Sequence, residues 1–256
     1  MDLELTGKRA LVLGASRGLG MAIAKSLAAE GAIVLAAARS REKIDAWADG
    51  MDNVHPVALD IADIAQIDAL ADKLLVDGGV DIIVNNGGGP PPGTAQTAER
   101  GAWISHFETM AANLFHLTGR LLPPMQERHW GRVISITSSG VEQPIPNLAL
   151  SNGIRSAVVG WSKTLANEVA GDGITVNIVM PGRIHTKRVD ELDAAAAKRT
   201  ETDVAEVAAR SRATIPAGRY GKPEEFADVV TFLASARAGY VTGSRIRIDG
   251  GAIKSI

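Results

Sequence analysis

The chain has 256 residues, 46% hydrophobic and 22% charged, with a formal net charge of −2 and no cysteine. That composition suits a globular chain long enough for one large domain, and a single unit over residues 1–256 is expected. The charge gives no electrostatic case for nucleic acid or an anionic membrane, and the lack of cysteine excludes disulfides, thiolate metal sites and a cysteine nucleophile. The opening MDLELTGKRALVLG is acidic before it is apolar and no apolar run reaches about 18 residues, so a cytoplasmic location is expected.

In chain order, a strand at Arg9–Leu13 leads into a helix at Gly20–Ala29. Strands Ile33–Ala37 and Val54–Leu59 precede a helix at Ile64–Val76. Strand Asp81–Val84 is followed by one long helix, Trp103–Arg128. Strand Arg132–Thr137 precedes a helix at Ile154–Ala170, whose Ile154, Val158, Trp161, Leu165 and Val169 fit a largely buried face. Strand Thr175–Val179 comes next, and then Lys187–Arg212, charged and alanine-rich, which reads as solvated surface helices or a flap. Helix Pro223–Ala234 and strand Arg245–Ile248 complete the order. Strands apolar on both faces, each feeding a helix, imply a parallel sheet covered on both sides. The expected fold is α/β, a doubly wound Rossmann fold with a seven-stranded parallel sheet between two helix layers.

The first strand runs into GASRGLG, with Gly14, Ser16, Arg17, Gly18, Leu19 and Gly20 as candidate cofactor contacts. Glycine lets the backbone turn sharply toward a pyrophosphate, and a helix N-terminus offers N–H groups to the anion. Beyond the loop, the motifs resemble the short-chain dehydrogenase/reductase family over essentially the whole chain, nearest its 3-oxoacyl-carrier-protein reductase branch. The resemblance rests on NNGG at 85–88, Asn113 in MAANLF, GRVISITSS at 131–139, MPGRIHT at 180–186, RYGKPEEFADVVTFLAS and VTGSRIRIDGG.

The resemblance implies a nicotinamide dinucleotide. Asp60 and Ile61 would flank the adenine, Asn86, Gly87 and Gly88 the ribose, and Pro181, Gly182, Ile184 and Thr186 the nicotinamide side. At the end of the second strand, Ala38 and Arg39 stand where a carboxylate would favour a free ribose 2′-hydroxyl. With Arg17 they favour NADP(H) over NAD(H), since guanidinium groups suit a 2′-phosphate; the plain alternative is that both are solvated surface residues. The family resemblance also implies a small-molecule substrate and a homo-oligomer, tetramer or dimer, built on the two long helices.

In that family a tyrosine donates the proton, a lysine four residues later lowers the tyrosine's pKa, a serine bonds the substrate oxygen and an asparagine continues a water chain. Ser138 and Asn113 match the last two. Thirteen residues beyond Ser138 stands Ser151, and four further is Arg155, so SNGIRS occupies the tyrosine and lysine positions. The only tyrosines, Tyr220 and Tyr240, lie in other motifs. A serine hydroxyl is a far weaker acid than a phenol, and arginine keeps its proton. The plain reading is an N-cap at Ser151–Asn152 with Arg155 on the surface one turn in. His185, Glu142 and Gln143 are alternative groups near the substrate; His185 also reads as an exposed loop residue. Ser139 adds a second hydroxyl without an assigned role, and the prolines of GGPPPG at 88–93 suit a cleft wall. His55, His106, His116 and His129 lack metal-ligand spacing, so no metal is expected. Three functions fit: an NADP(H)-dependent oxidoreductase with a modified site, a dinucleotide-binding protein without turnover (a sensor or an inactive oligomer partner), and a non-redox enzyme whose Arg155 grips an anion.

Overall fold

The computed structural model describes residues 1–255. Seven strands form one parallel sheet in the order β3-β2-β1-β4-β5-β6-β7: β1 Arg9–Leu13, β2 Ile33–Ala38, β3 Val54–Ala58, β4 Ile82–Asn85, β5 Gly131–Ile136, β6 Ile174–Pro181 and β7 Arg245–Ile248. The helices are α1 Gly18–Ala29, α2 Arg41–Ala48, α3 Ile64–Val76, α4 Arg100–Phe107, α5 Asn113–Glu127, α6 Ala149–Val169, α7 Lys187–Thr200, α8 Val204–Ala213 and α9 Pro223–Ala234. Residues alternate between the two sheet faces. Val12, Val34, Val84 and Ile134 meet α1 and α9 through Ile23, Leu27, Phe226 and Val230. Leu11, Ile83, Val133 and Val176 meet α3, α5 and α6 through Ile67, Leu74, Leu117 and Leu165. The strand order reverses between β1 and β4, so a crevice opens at their carboxyl ends.

Four expectations are corrected. The helix expected over Trp103–Arg128 is interrupted by a π-helical turn at Glu108–Ala112. The wider turn buries Met110 and Ala111 against Leu150, Ile154 and Val158 and leaves Asn113 as the first residue of α5. Helix α6 begins at Ala149, with Leu148 as its N-cap, so Ser151 lies in the first turn and is not a cap. Helix α2 is an addition: its buried face is only Ile44 and Ala48, too short for a periodic signal. Finally, α7 is not simply solvated, because Val189, Asp193 and Ala197 recur at four-residue spacing and are buried. Of the residues expected to be buried on α6, Ile154, Val158, Leu165 and Val169 are, whereas Trp161 is half-buried and stacks on Phe115 of α5 at 4.2 Å between ring centroids.

Candidate active site

The glycine loop shows why its residues are small. Gly14 has φ +65°, and a Cβ there would lie 2.8 Å from Nδ2 of Asn86. A Cβ on Gly20 would lie 2.3 Å from the Gly14 carbonyl, so the start of α1 packs directly onto the loop. Asn86 donates to the Leu13 carbonyl at 3.1 Å and thereby joins the ends of β1 and β4. No side chain caps α1 at Arg17, which leaves its first N–H groups free for an anion. Ser16 is half-buried beside them, and Leu19 is partly buried against the core. Across the loop, a Cβ on Gly18 would be 3.7 Å from Cγ2 of Thr186, so the segment after β6 arches over the same place. These features form a close-packed cradle of small residues with uncapped N–H groups.

The remaining expected cofactor residues divide. Asn113, buried, donates to the Ile61 carbonyl at 2.7 Å, and a Cβ on Gly87 would touch Cδ1 of Ile61 at 3.4 Å; these three come together beside the crevice. Asp60 is committed locally, accepting from the Ala62 N–H at 3.0 Å. Gly88 is exposed, and the following proline loop lies against the start of α6, where the Ala149 N–H donates to the Gly93 carbonyl. Gly182 donates to Ile248 at 2.9 Å, Pro181 ends β6, and Ile184 is buried. Arg39 is exposed at the rim, while Arg17 lies 3.7 Å from Glu191 of α7, a contact between two exposed groups that water screens.

Ser138, Ser151 and Arg155 stand on neighbouring segments, the end of β5 and the start of α6, whereas Asn113 is bound to Ile61. Ser138 leaves β5 extended, and its Oγ accepts from the Gly140 N–H at 3.1 Å, which leaves the hydroxyl hydrogen uncommitted. Gly140 is tight against α6: a Cβ would stand 2.5 Å from Oδ1 of Asn152. Asn152 clamps the loop further, donating to the Ile145 carbonyl at 2.9 Å and accepting from the Ile145 N–H at 3.4 Å. Ser151, 9% exposed, and Arg155 are one turn apart on one face of α6.

Arg155 is half-buried rather than fully exposed. Its Nη1 donates to the Ile136 carbonyl at 2.8 Å. The Thr137 N–H points to Val179 on β6, so the Ile136 carbonyl, opposite in the same planar peptide, points toward β4. The β4–β5 register ends at Asn85 with Ser135, and Arg155 occupies the next step, in the gap where β4 has turned away. Below that gap, Asn85 Oδ1, Ser135 Oγ and Thr137 Oγ1 are buried without protein partners.

The alternative proton donors stand elsewhere. His185 is exposed, 3.4 Å from Asp190, and lines a cavity of about 350 Å³ with Asp193, Arg212 and Tyr220, which none of Ser138, Ser151 and Arg155 lines. Tyr220 donates to Oδ2 of Asp193 at 2.7 Å, and burial raises its pKa, both contrary to an acid's needs. Tyr240 is fully exposed. Glu142 lies 3.2 Å from Arg247 and 3.9 Å from Arg245, and so ties the loop after Ser138 to β7. The residues missed by sequence reasoning are supports of this kind: Asn152, Asp193 with its bonds to Arg183 at 2.9 Å and Tyr220, and Trp47, which donates to the Ala15 carbonyl of the glycine loop at 3.1 Å. Trp47 had one available signal, the Ser40 start of α2.

Residues 14–252 match the family model described as Enoyl-(Acyl carrier protein) reductase. A 3-oxoacyl-[acyl-carrier-protein] reductase of Vibrio cholerae is 37% identical over 254 residues, covering 97% of this chain and 98% of that protein. This chain belongs to the short-chain dehydrogenase/reductase family. The corresponding Escherichia coli reductase is 36% identical over 253 residues, again 97% and 98% of the two chains. Among solved structures, the L-sorbose reductase from Gluconobacter frateurii complexed with NADPH and L-sorbose superimposes with a TM-score of 0.94 at 32% identity, covering 100% of both chains. A structure of the actinorhodin polyketide ketoreductase with NADPH does so at 0.91 and 31%, over 97% and 98%. Among the described residues no helix is long and apolar enough to cross a membrane.

Proposed function

We propose that this short-chain oxidoreductase uses NADP(H) on a small carbonyl or alcohol, with Ser151 and Arg155 standing where the family places its tyrosine and lysine. The observation that carries this reading is the Arg155 guanidinium, anchored on Ile136 two residues before Ser138 and one turn from Ser151. NADP(H) relatives support the cofactor, and the glycine cradle, uncapped α1 and the open Arg39 fit it.

Gly14, Ser16, Gly18, Leu19 and Gly20 would hold the pyrophosphate, Arg17 and Arg39 the 2′-phosphate, Asp60 and Ile61 the adenine. Asn86, Gly87 and Gly88 would line the ribose, and Pro181, Gly182, Ile184 and Thr186 the nicotinamide. When bound, that ring supplies or accepts the hydride. The protein's part is electrostatic. Ser138 and Ser151 donate hydrogen bonds to the substrate oxygen, and the Arg155 charge stabilises that oxygen as it becomes an alkoxide. Asn113 supports the solvent side, from which a proton reaches the alkoxide. Screening acyl thioesters, ketones and sugar acids for NADPH oxidation tests the reading; no consumption with any class would count against it.

A second reading, cofactor binding without turnover, is favoured by one observation: Tyr220 is committed to Asp193 and Tyr240 to solvent, so no phenol substitutes for the missing acid. NADPH binding without oxidation, and activity gained in Ser151→Tyr with Arg155→Lys, would establish it. In either case the protein is a cytoplasmic homo-oligomer, dimer or tetramer, without nucleic-acid, membrane or metal partners.

A further inference from the structure

Two guanidinium groups are drawn toward the interior, that of Arg132 fully and that of Arg155 in part, and they are held in unlike ways. Arg132, on β5, donates to the carbonyls of Gly131, Ser235 and Gly173 at 2.8, 3.1 and 3.3 Å, and lies 4.3 Å from the centroid of the Trp130 ring. Three bonds to main-chain carbonyls commit its Nε and Nη1 to the fold. Arg155 makes one bond, to Ile136, although its fork has five N–H groups. Burial alone moves its pKa, with no neighbouring charge contributing, and brings it only down to about 10, so the group is charged at neutral pH. Ser151, one turn earlier, cannot carry the balancing negative charge, because an aliphatic hydroxyl does not ionise in this range. A half-buried cation without a counter-ion, its remaining donors open to the crevice, is suited to an anion.

The geometry limits which anion. The free N–H groups lie on a rigid planar fork, which matches the two oxygens of a carboxylate. A carboxylate also balances a single cation, whereas a phosphate dianion would leave net negative charge in the same half-buried place. The Ser151 hydroxyl, on the same helical face, supplies a further donor. The oxidised nicotinamide ring is itself cationic, so NADP⁺ meets like charge at Arg155 unless an anion enters with it.

We infer that Arg155 and Ser151 form a carboxylate-binding subsite at the ends of β4 and β5, so that the compound taken beside the cofactor is an oxo acid or hydroxy acid and not a neutral ketone. The inference rests on the cofactor site proposed above and names the substrate class for it.

Acetate is the probe. Binding of NADP⁺ is measured calorimetrically with sodium acetate replacing sodium chloride at constant ionic strength, and NADPH binding is followed in parallel by its fluorescence. Thermal melting without cofactor is recorded in both salts. For the wild-type protein, acetate tightens NADP⁺ by at least about fivefold, within the usual range of coupled sites, and raises the melting temperature. Arg155→Met abolishes both effects and Arg155→Lys keeps part of them. Ser151→Ala, which leaves the guanidinium in place, reduces the acetate effect about threefold or more, and it carries the test if Arg155→Met does not fold. Equal behaviour in acetate and chloride, a stronger effect from phosphate than acetate, or an acetate effect unchanged by all three variants would overturn the inference. Failure of the wild type to bind NADPH while the Arg155-dependent acetate stabilisation persists would instead sink the cofactor reading and leave this one standing.

Discussion

Arg155 reaches from the second turn of α6 to the carbonyl of Ile136 and fills the step of the sheet that β4 leaves open. The contact fixes a positive charge beside Ser138 without help from any carboxylate. Its consequence for stability differs from that of Arg132, although burial brings both groups to about 10.

Arg132→Met should destabilise the fold, because three carbonyls lose a donor in a region closed to water. Arg155→Met should leave the melting temperature of the free protein unchanged or slightly higher, since an apolar side chain replaces a half-buried, uncompensated charge. Parallel melts of the two variants check this; a larger loss of stability in Arg155→Met would contradict it.

Gly20→Ala should weaken NADPH binding by more than about tenfold. The new methyl meets the Gly14 carbonyl, which belongs to the loop that would hold the pyrophosphate, and a backbone group cannot move aside without reshaping that loop. The dissociation constant from fluorescence titration is the readout, and an unchanged value would show that the cradle lies elsewhere.

Tyr220→Phe should retain turnover within a few-fold. The lost hydroxyl holds Asp193 of α7, and loosening that helix should show as faster amide exchange at 187–200. A loss of 10²–10⁴-fold in kcat, the size expected for removing a general acid, would return Tyr220 to the chemistry.

Asn152→Ala should lower the melting temperature by about 2–4 °C, in keeping with about 1 kcal/mol of lost hydrogen bonding in a chain of this size. Amide exchange should rise at 140–147, where Asn152 holds both polar groups of Ile145. An unaltered exchange pattern would mean that the clamp does not hold the loop that follows Ser138.

The acetate effect on NADP⁺ should be flat from pH 6 to 9 and disappear as pH rises through about 10. The sign follows from burial, which favours the neutral form of Arg155 and lowers its pKa from the usual arginine range to about 10; above that value the positive charge is lost and the anion is released. Calorimetric titrations across the range check it, and a loss centred near pH 6 to 7 would point to a histidine instead.

Much of this was legible in the residues. The strand runs Arg9–Leu13 and Arg245–Ile248 were read to their ends, because β-branched stretches bounded by turns leave little choice. GASRGLG announced its own backbone constraints. What could not be read was geometry set by tertiary contacts. The π-turn before Asn113 depends on Met110 and Ala111 finding α6, which local periodicity does not encode. Ser151 resembled a cap because serine often is one, but the bonds of Gly93 and Asn152 draw the helix start back to Ala149. Arg155 looked like surface because arginine usually is; only the unfilled step between β4 and β5 draws it half inside.

The most direct test of the proposed chemistry is stopped-flow NADPH oxidation by the wild-type protein and by Ser151→Tyr with Arg155→Lys, over 2-oxo and 3-oxo acids and the matching thioesters and neutral ketones. The account predicts that the wild type binds NADPH and oxidises it with an oxo acid while leaving neutral ketones untouched. NADPH bound by the wild type but oxidised with no substrate, together with turnover in the double variant, would contradict it and leave a cofactor-binding protein without redox activity.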